Sequence, residues 1–376
     1  MRSKVGVAPP LQPQPPLAAD SSAQPLIRHA SRATFSRKGR RVLSVGANVV
    51  TSTSPPWLTR LRPDWYLVLI LAMAALASIV PARGEAATWL SWITKAAIAL
   101  VFFLHGARLS REAVIGGLVH WRLHLLVLAA TFVLFPALCL GLAALPAAVT
   151  PPELAAGIVF LGCLPSTIQS SIAFVGIARG NVPAAVAAAS ASNLLGVFLT
   201  PLLVVTLLHA QGGVSGASFG AVVLQLLAPF LAGQLLRPWV GGWVAARAKA
   251  LAKVDRGSIL LVVYTAFSSA VVAGVWTRLD AFDLVRLLAL CTVLLAVMLA
   301  ATALAGRLLG FSKADQIAIL FCGSKKSLAS GAPMAAALFS PAVAGVAMIP
   351  LMVFHQIQLM ACAVIAQRYA ERPDPN

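Results

Sequence analysis

Two lysines stand side by side in a segment otherwise built from small and apolar residues. The run is Cys322-Gly323-Ser324-Lys325-Lys326-Ser327-Leu328-Ala329-Ser330-Gly331-Ala332-Pro333, with apolar sequence on both sides. An ammonium group at the centre of a bilayer costs roughly 2.5–3.5 kcal/mol on insertion scales, so adjacent lysines at that depth need a reason to persist. On a helix they point about 100° apart, which predicts different jobs. One would snorkel to the cytoplasmic side. The other would meet an anionic solute, or put its ammonium where a metal cation would otherwise sit. Burial also makes an ammonium proton transferable, which opens a proton-coupling route. A second segment, Cys163-Leu164-Pro165-Ser166-Thr167-Ile168-Gln169-Ser170-Ser171, is likewise polar and likewise interrupted by proline.

Further polar groups lie in the apolar stretches that follow these two segments. Ser190, Ser192, Asn193 and Thr200 follow the first; His355, Gln356 and Gln358 follow the second. Amide and hydroxyl oxygens coordinate cations and bind polar parts of a solute. The plainer role is hydrogen bonding between helices, worth only about 0.6 kcal/mol on average. The candidate substrate or ion site is therefore Ser166, Thr167, Gln169, Ser170, Ser190, Asn193, Ser324, Lys325, Lys326, Ser327, Ser330 and Gln358. All eleven acids fall in tails, loops or the ends of apolar stretches, so no mid-membrane carboxylate is available to bind a cation. No GxSxG, HExxH or Walker glycine loop occurs, and the five cysteines are dispersed without a CxxC pair. No enzyme, metal centre or resident cofactor is expected.

The elements that must position these groups follow from composition. Of 376 residues, 59% are apolar and 11% charged. A soluble domain averages about 25% charged, so lipid must solvate much of this surface. Ten apolar stretches are long enough to read as spans, near 65–82, 88–107, 123–145, 154–177, 182–208, 218–239, 258–277, 284–309, 315–338 and 343–367. The net charge of +18 sorts by side. With the N-terminus cytoplasmic, only Arg83, Arg278 and Arg286 fall in outer loops. Lys95, Lys325 and Lys326 lie within spans, and the other 23 of the 29 basic residues face inward. That is the positive-inside pattern, with both termini cytoplasmic, and it explains the charge without nucleic acid.

Residues 1–56 differ from the rest: they are proline-rich and basic, contain one acid, and show no apolar periodicity. They read as a disordered cytosolic tail, with a transit peptide or an over-long start as alternatives. Beyond them the chain divides into five spans over 57–208 and five over 218–370. An odd number per half gives the halves opposite orientations, the arithmetic of an inverted repeat. The two polar interrupted segments are then the fourth span of each half. Paired interruptions of this kind point to a substrate site in secondary transporters.

Several motifs resemble the bile acid:sodium symporter superfamily (solute carrier family 10), in its member-seven-like branch. They are Arg62-Pro63-Asp64-Trp65-Tyr66, Thr131-Phe132-Val133-Leu134-Phe135-Pro136, Leu164-Pro165-Ser166-Thr167 with Gln169-Ser170-Ser171, and Gly323-Ser324-Lys325-Lys326-Ser327-Leu328 with Gly331-Ala332-Pro333-Met334. The resemblance covers about 62–370. It implies an all-α polytopic membrane protein of ten transmembrane helices, with a panel of spans 1, 2, 6 and 7 and a core of the others. Discontinuous spans 4 and 9 would cross at their breaks, with alternating access between panel and core. It also adds Thr131 to the site.

The sequence departs from the sodium-coupled members at two cation-site positions. Thr131 stands where they carry Gln, and Ser324 where they carry an acid. Ser166, Thr167, Ser190 and Asn193 match the remaining cation-site positions. Na⁺ and proton coupling both stay open. The expected protein is a secondary active transporter of a small organic anion in a bacterial inner membrane, an organellar membrane being the alternative. A non-transporting regulator or scaffold on the same fold is the competing reading.

Overall fold

A computed structural model describes residues 65–108, 120–209, 216–274 and 279–372. The tail expected over residues 1–56 lies outside the described residues. Among those described, helices and short connections make up the whole structure, with no strand.

The helices are α1 (Trp65–Ile79), α2 (Gly84–Arg108), α3 (Trp121–Ala143), α4 (Pro152–Cys163), α5 (Gln169–Ile177) and α6 (Val182–His209). They continue with α7 (Gly216–Ala246), α8 (Ala248–Val272), α9 (Ala281–Leu308), α10 (Lys313–Gly323), α11 (Leu328–Leu338) and α12 (Pro341–Ala370). Six of them, α2, α3, α6, α8, α9 and α12, are each long and apolar enough to cross a membrane. Exposed tryptophans sit toward the helix ends: Trp65, Trp89, Trp121, Trp239 and Trp243. That is where the amphipathic ring meets a lipid–water boundary.

Local chemistry sets the ends. Asp280 and Asp283 form a reciprocal capping box at the start of α9, satisfying N–H groups that a helix terminus leaves unpaired. Ser312 caps α10 by accepting from the Asp315 N–H. Asn181 donates to the Asp315 carboxylate at 2.7 Å, tying the start of α6 to the start of α10. α8 begins ten residues before the apolar stretch expected at 258–277. Its first turns, Ala248 to Gly257, include Lys249, Lys253 and Arg256. Ala, Leu and Lys favour helix strongly, and a helix end outside lipid needs no apolar surface.

α1 packs on α8, and α2 on α7 and α8. α3 lies on α4, α10 on α3, α5 and α6, and α12 on α4, α5, α8, α9 and α11. α8 also meets α11, and α6 meets α7. The α2–α7 pair is in backbone contact. A Cβ on Gly106 would stand 2.0 Å from the Phe230 carbonyl oxygen, and one on Gly233 2.0 Å from that of Phe103. Small residues allow this approach where no hydrophobic effect draws helices together. All five cysteines are buried and free, as small core groups.

Candidate functional site

Pro165 determines the first break. It has no N–H, and it drives the residue before it out of helical geometry. Leu164 takes φ −75°, ψ 152°, and α4 ends at Cys163. Five successive carbonyls, from Gly162 to Ser166, then accept from donors outside their own helix. Gly162 O and Leu164 O each accept from Lys326 Nζ at 2.6 Å. Cys163 O accepts from Thr200 Oγ1 at 2.8 Å. Pro165 O accepts from the Ser327 N–H at 3.0 Å, and Ser166 O from Asn193 Nδ2 at 2.6 Å. Buried main-chain groups are nearly always paired, and here all five carbonyls are paired by their neighbours.

The second break faces the first. α10 stops at Gly323 and α11 resumes at Leu328, with Ser327 as its cap accepting from the Ser330 N–H at 3.1 Å. Ser166 Oγ donates to Cys322 O at 2.6 Å, and Ser171 Oγ to Phe321 O at 3.1 Å. Gln358 of α12 holds the Lys326 main chain like a paired strand. Its Oε1 accepts from the Lys326 N–H and its Nε2 donates to the Lys326 carbonyl, both at 2.8 Å. Ser330 Oγ donates to Asn193 Oδ1 at 2.8 Å, closing the crossing onto α6.

The two lysines are both fully buried but differently served. Lys326 Nζ donates to three carbonyls: Gly162, Leu164 and, at 2.8 Å, Thr131. The ring of Phe135 lies 4.1 Å from the same nitrogen. Lys325 Nζ has one hydroxyl acceptor, Ser170 Oγ at 3.3 Å. The rings of Phe174 and Phe321, at 4.3 and 5.7 Å, cover the rest of it. Ring faces attract cations, but they do not replace hydrogen-bond acceptors.

Thr131 takes part through its carbonyl only, because its hydroxyl donates back to Val127 O at 2.7 Å. Ser324 also turns its hydroxyl back onto its own helix, to Leu320 O. Thr167 Oγ1 lies 2.7 Å from Ser170 Oγ and 3.0 Å from Ser171 Oγ. Of the sequence candidates, Gln169 is exposed and Ser190 half-buried, and neither bonds to the crossing. The rings of Phe135, Phe174 and Phe321 went unrecognised as site residues, since an apolar side chain in an apolar span carries no distinguishing signal. Ser192 was visible as a polar residue. Its hydroxyl accepts from the Ser166 N–H at 3.0 Å, closing the first break from α6. At the crossing, Ser324, Lys325 and Lys326 are packed and internally bonded. A cavity of about 630 Å³ lies elsewhere, lined by Ala107, Arg108, Gln234 and Arg237 of α2 and α7.

Comparison with known proteins identifies a family for the chain. Residues 64–371 match the SBF-like CPA transporter family. The chain is 55% identical over 317 residues to "Uncharacterized protein PA2026" of Pseudomonas aeruginosa, covering 84% of this chain and 95% of that protein. It is 50% identical over 312 residues to "Putative symporter YfeH" of Escherichia coli, covering 83% and 94%. It is 28% identical over 316 residues to the Mus musculus protein named "Sodium/bile acid cotransporter 7", covering 82% and 93%. Together with the six apolar helices, this makes the chain an integral multi-pass membrane protein. The chain belongs to the SBF-like CPA transporter family, a family of transporters and not of enzymes.

Proposed function

We propose that this protein is a secondary active carrier of a small organic anion, moved by alternating access past the crossing of the two interrupted segments. The observation that carries this reading is Lys325: fully buried, with a single hydroxyl acceptor. An ammonium has three protons to give. A carboxylate or sulfonate would take those that ring faces now cover. Phe174, only half-buried, would be the side that yields. The N-terminal ends of the α5 and α11 dipoles would add positive potential on either side.

The reading has ten spans in two inverted five-span repeats, α4 with α5 and α10 with α11 each making one interrupted span. A pair of matching contacts supports it. Arg122, at the start of α3, donates to the Leu309 carbonyl just past α9. Arg286, near the start of α9, donates to the carbonyls of Ala147 and Ala148 just past α3. Under an inverted repeat these are one contact seen on opposite faces of the membrane. The group α1, α2, α7 and α8 would move against the remainder. The basic inner loops support cytoplasmic termini, in a bacterial inner membrane.

The test is uptake into liposomes carrying the purified protein. Relatives named for bile acids put steroid carboxylates first in the panel of labelled anions, followed by short and aromatic carboxylates. Saturable uptake is expected. Lys325→Gln should lower it about ten-fold or more, because a charge-assisted hydrogen bond contributes roughly 1.5–3 kcal/mol. No flux for any anion in the panel would overturn the carrier reading in favour of a non-transporting regulator.

A further inference from the structure

Three carbonyl oxygens converge on one point between α3, the first break and the second. Each lacks a main-chain donor for a stated reason. In α3 the turn Ala130–Leu134 is widened, and the Phe135 N–H bonds to Ala130 O, five residues back. The next residue in that register is Pro136, which has no N–H, so Thr131 O is left over. Gly162 O would ordinarily accept from the Ser166 N–H, but that group donates to Ser192 Oγ at 3.0 Å. Leu164 O lies in the extended residue before Pro165. Gly162 also lets α4 come this close to α3: a Cβ there would stand 2.8 Å from that of Cys139.

Unwound main-chain carbonyls converging in mid-membrane are what carriers use to hold Na⁺. Here the point already holds Lys326 Nζ, at 2.6, 2.6 and 2.8 Å from the three oxygens. Three acceptors match the three protons of a charged ammonium; a neutral amine would turn a lone pair toward one of them. No carboxylate is present to balance a second cation, since Asp283 is the only buried acid among the described residues and it belongs to the start of α9. These residues do not fit Na⁺.

We propose that, in the carrier described above, Lys326 is a tethered coupling cation. Its ammonium occupies, on the carbonyls of Thr131, Gly162 and Leu164, the place of a monovalent metal ion, and the protein binds no Na⁺ at the crossing.

The test uses the full-length protein purified in detergent, with radioactive Na⁺ as the probe. Melting temperature is measured in NaCl and in choline chloride at equal ionic strength. Wild-type protein should show no saturable Na⁺ binding and the same melting temperature in both salts. Lys326→Ala vacates the three carbonyls. It should gain saturable Na⁺ binding and melt several degrees higher in NaCl, because a ligand held only by the folded state stabilises it. Lys326→Ser adds a hydroxyl ligand and should do the same. Both variants are purified with methylammonium chloride, which supplies the missing cation during folding. Saturable Na⁺ binding by wild-type protein overturns the proposal. So does a failure of both folded variants to bind Na⁺, or a failure of both to fold even with methylammonium, since a free cation should then have filled the vacated cradle. None of these readouts involves a solute, so this result and the uptake result can fail separately.

Discussion

The two breaks face one another but play different chemical parts. The first, between α4 and α5, is made by a proline and surrenders acceptors: its carbonyls accept from α6, from Ser327 and from Lys326. The second, between α10 and α11, donates to three of the five through the Lys326 ammonium and the Ser327 N–H, while its own rim carbonyls accept from Ser166 and Ser171. Each would be expensive alone, because an unpaired buried polar group costs about 1–3 kcal/mol. Together they satisfy one another. Within the second break the two lysines divide again, Lys326 fully coordinated and Lys325 only partly.

The sharpest way to break this complementarity is to remove its central donor. Lys326→Ala leaves three buried carbonyls without their partner, and should destabilise the protein by about 3 kcal/mol or more in choline chloride. Thermal unfolding followed by size-exclusion chromatography would read it. Next comes the contrast between neighbours. Lys325→Leu removes a partly served buried charge, so it should leave the melting temperature unchanged or higher while anion uptake falls. A Lys325→Leu protein as unstable as Lys326→Ala would show the lysines to be equivalent.

Gln358→Leu should cost about 2 kcal/mol, since it leaves the Lys326 N–H and carbonyl without the amide that pairs them. Gly162→Ala pushes α4 from α3 and should cost about 1–3 kcal/mol by overpacking. The smallest effect belongs to Thr131→Val. Only a bond to its own helix is lost, so stability should change by about 1 kcal/mol or less. A large loss of uptake in that variant would mean that the hydroxyl, and not the carbonyl, is the working group.

Much of this was legible in the residues. Pro165, Gly323 and the clustered serines marked both breaks, because proline and exposed peptide groups cannot continue an apolar helix facing lipid. Two adjacent lysines implied two roles, one of them snorkelling from a helix, whereas both lie in the non-helical break and are fully buried. Which lysine meets carbonyls and which meets rings was not legible. That depends on how closely α3 and α4 approach at Gly162, and on a widened turn in α3 that only the pairing of Phe135 with Ala130 reveals. Thr131 reaches the crossing through its carbonyl and not its side chain. The hydroxyl satisfies its own helix first, a local contact that wins over a distant one. Gln169 and Ser190 lie in polar runs but make no bond at the crossing, which their residue types could not tell.

Gly106 and Gly233 bring α2 and α7 together with no room for a methyl group between main chains. Helices so close cannot slide past each other by part of a turn without first lifting apart. In the carrier proposed above, the pair would therefore move as one rigid unit.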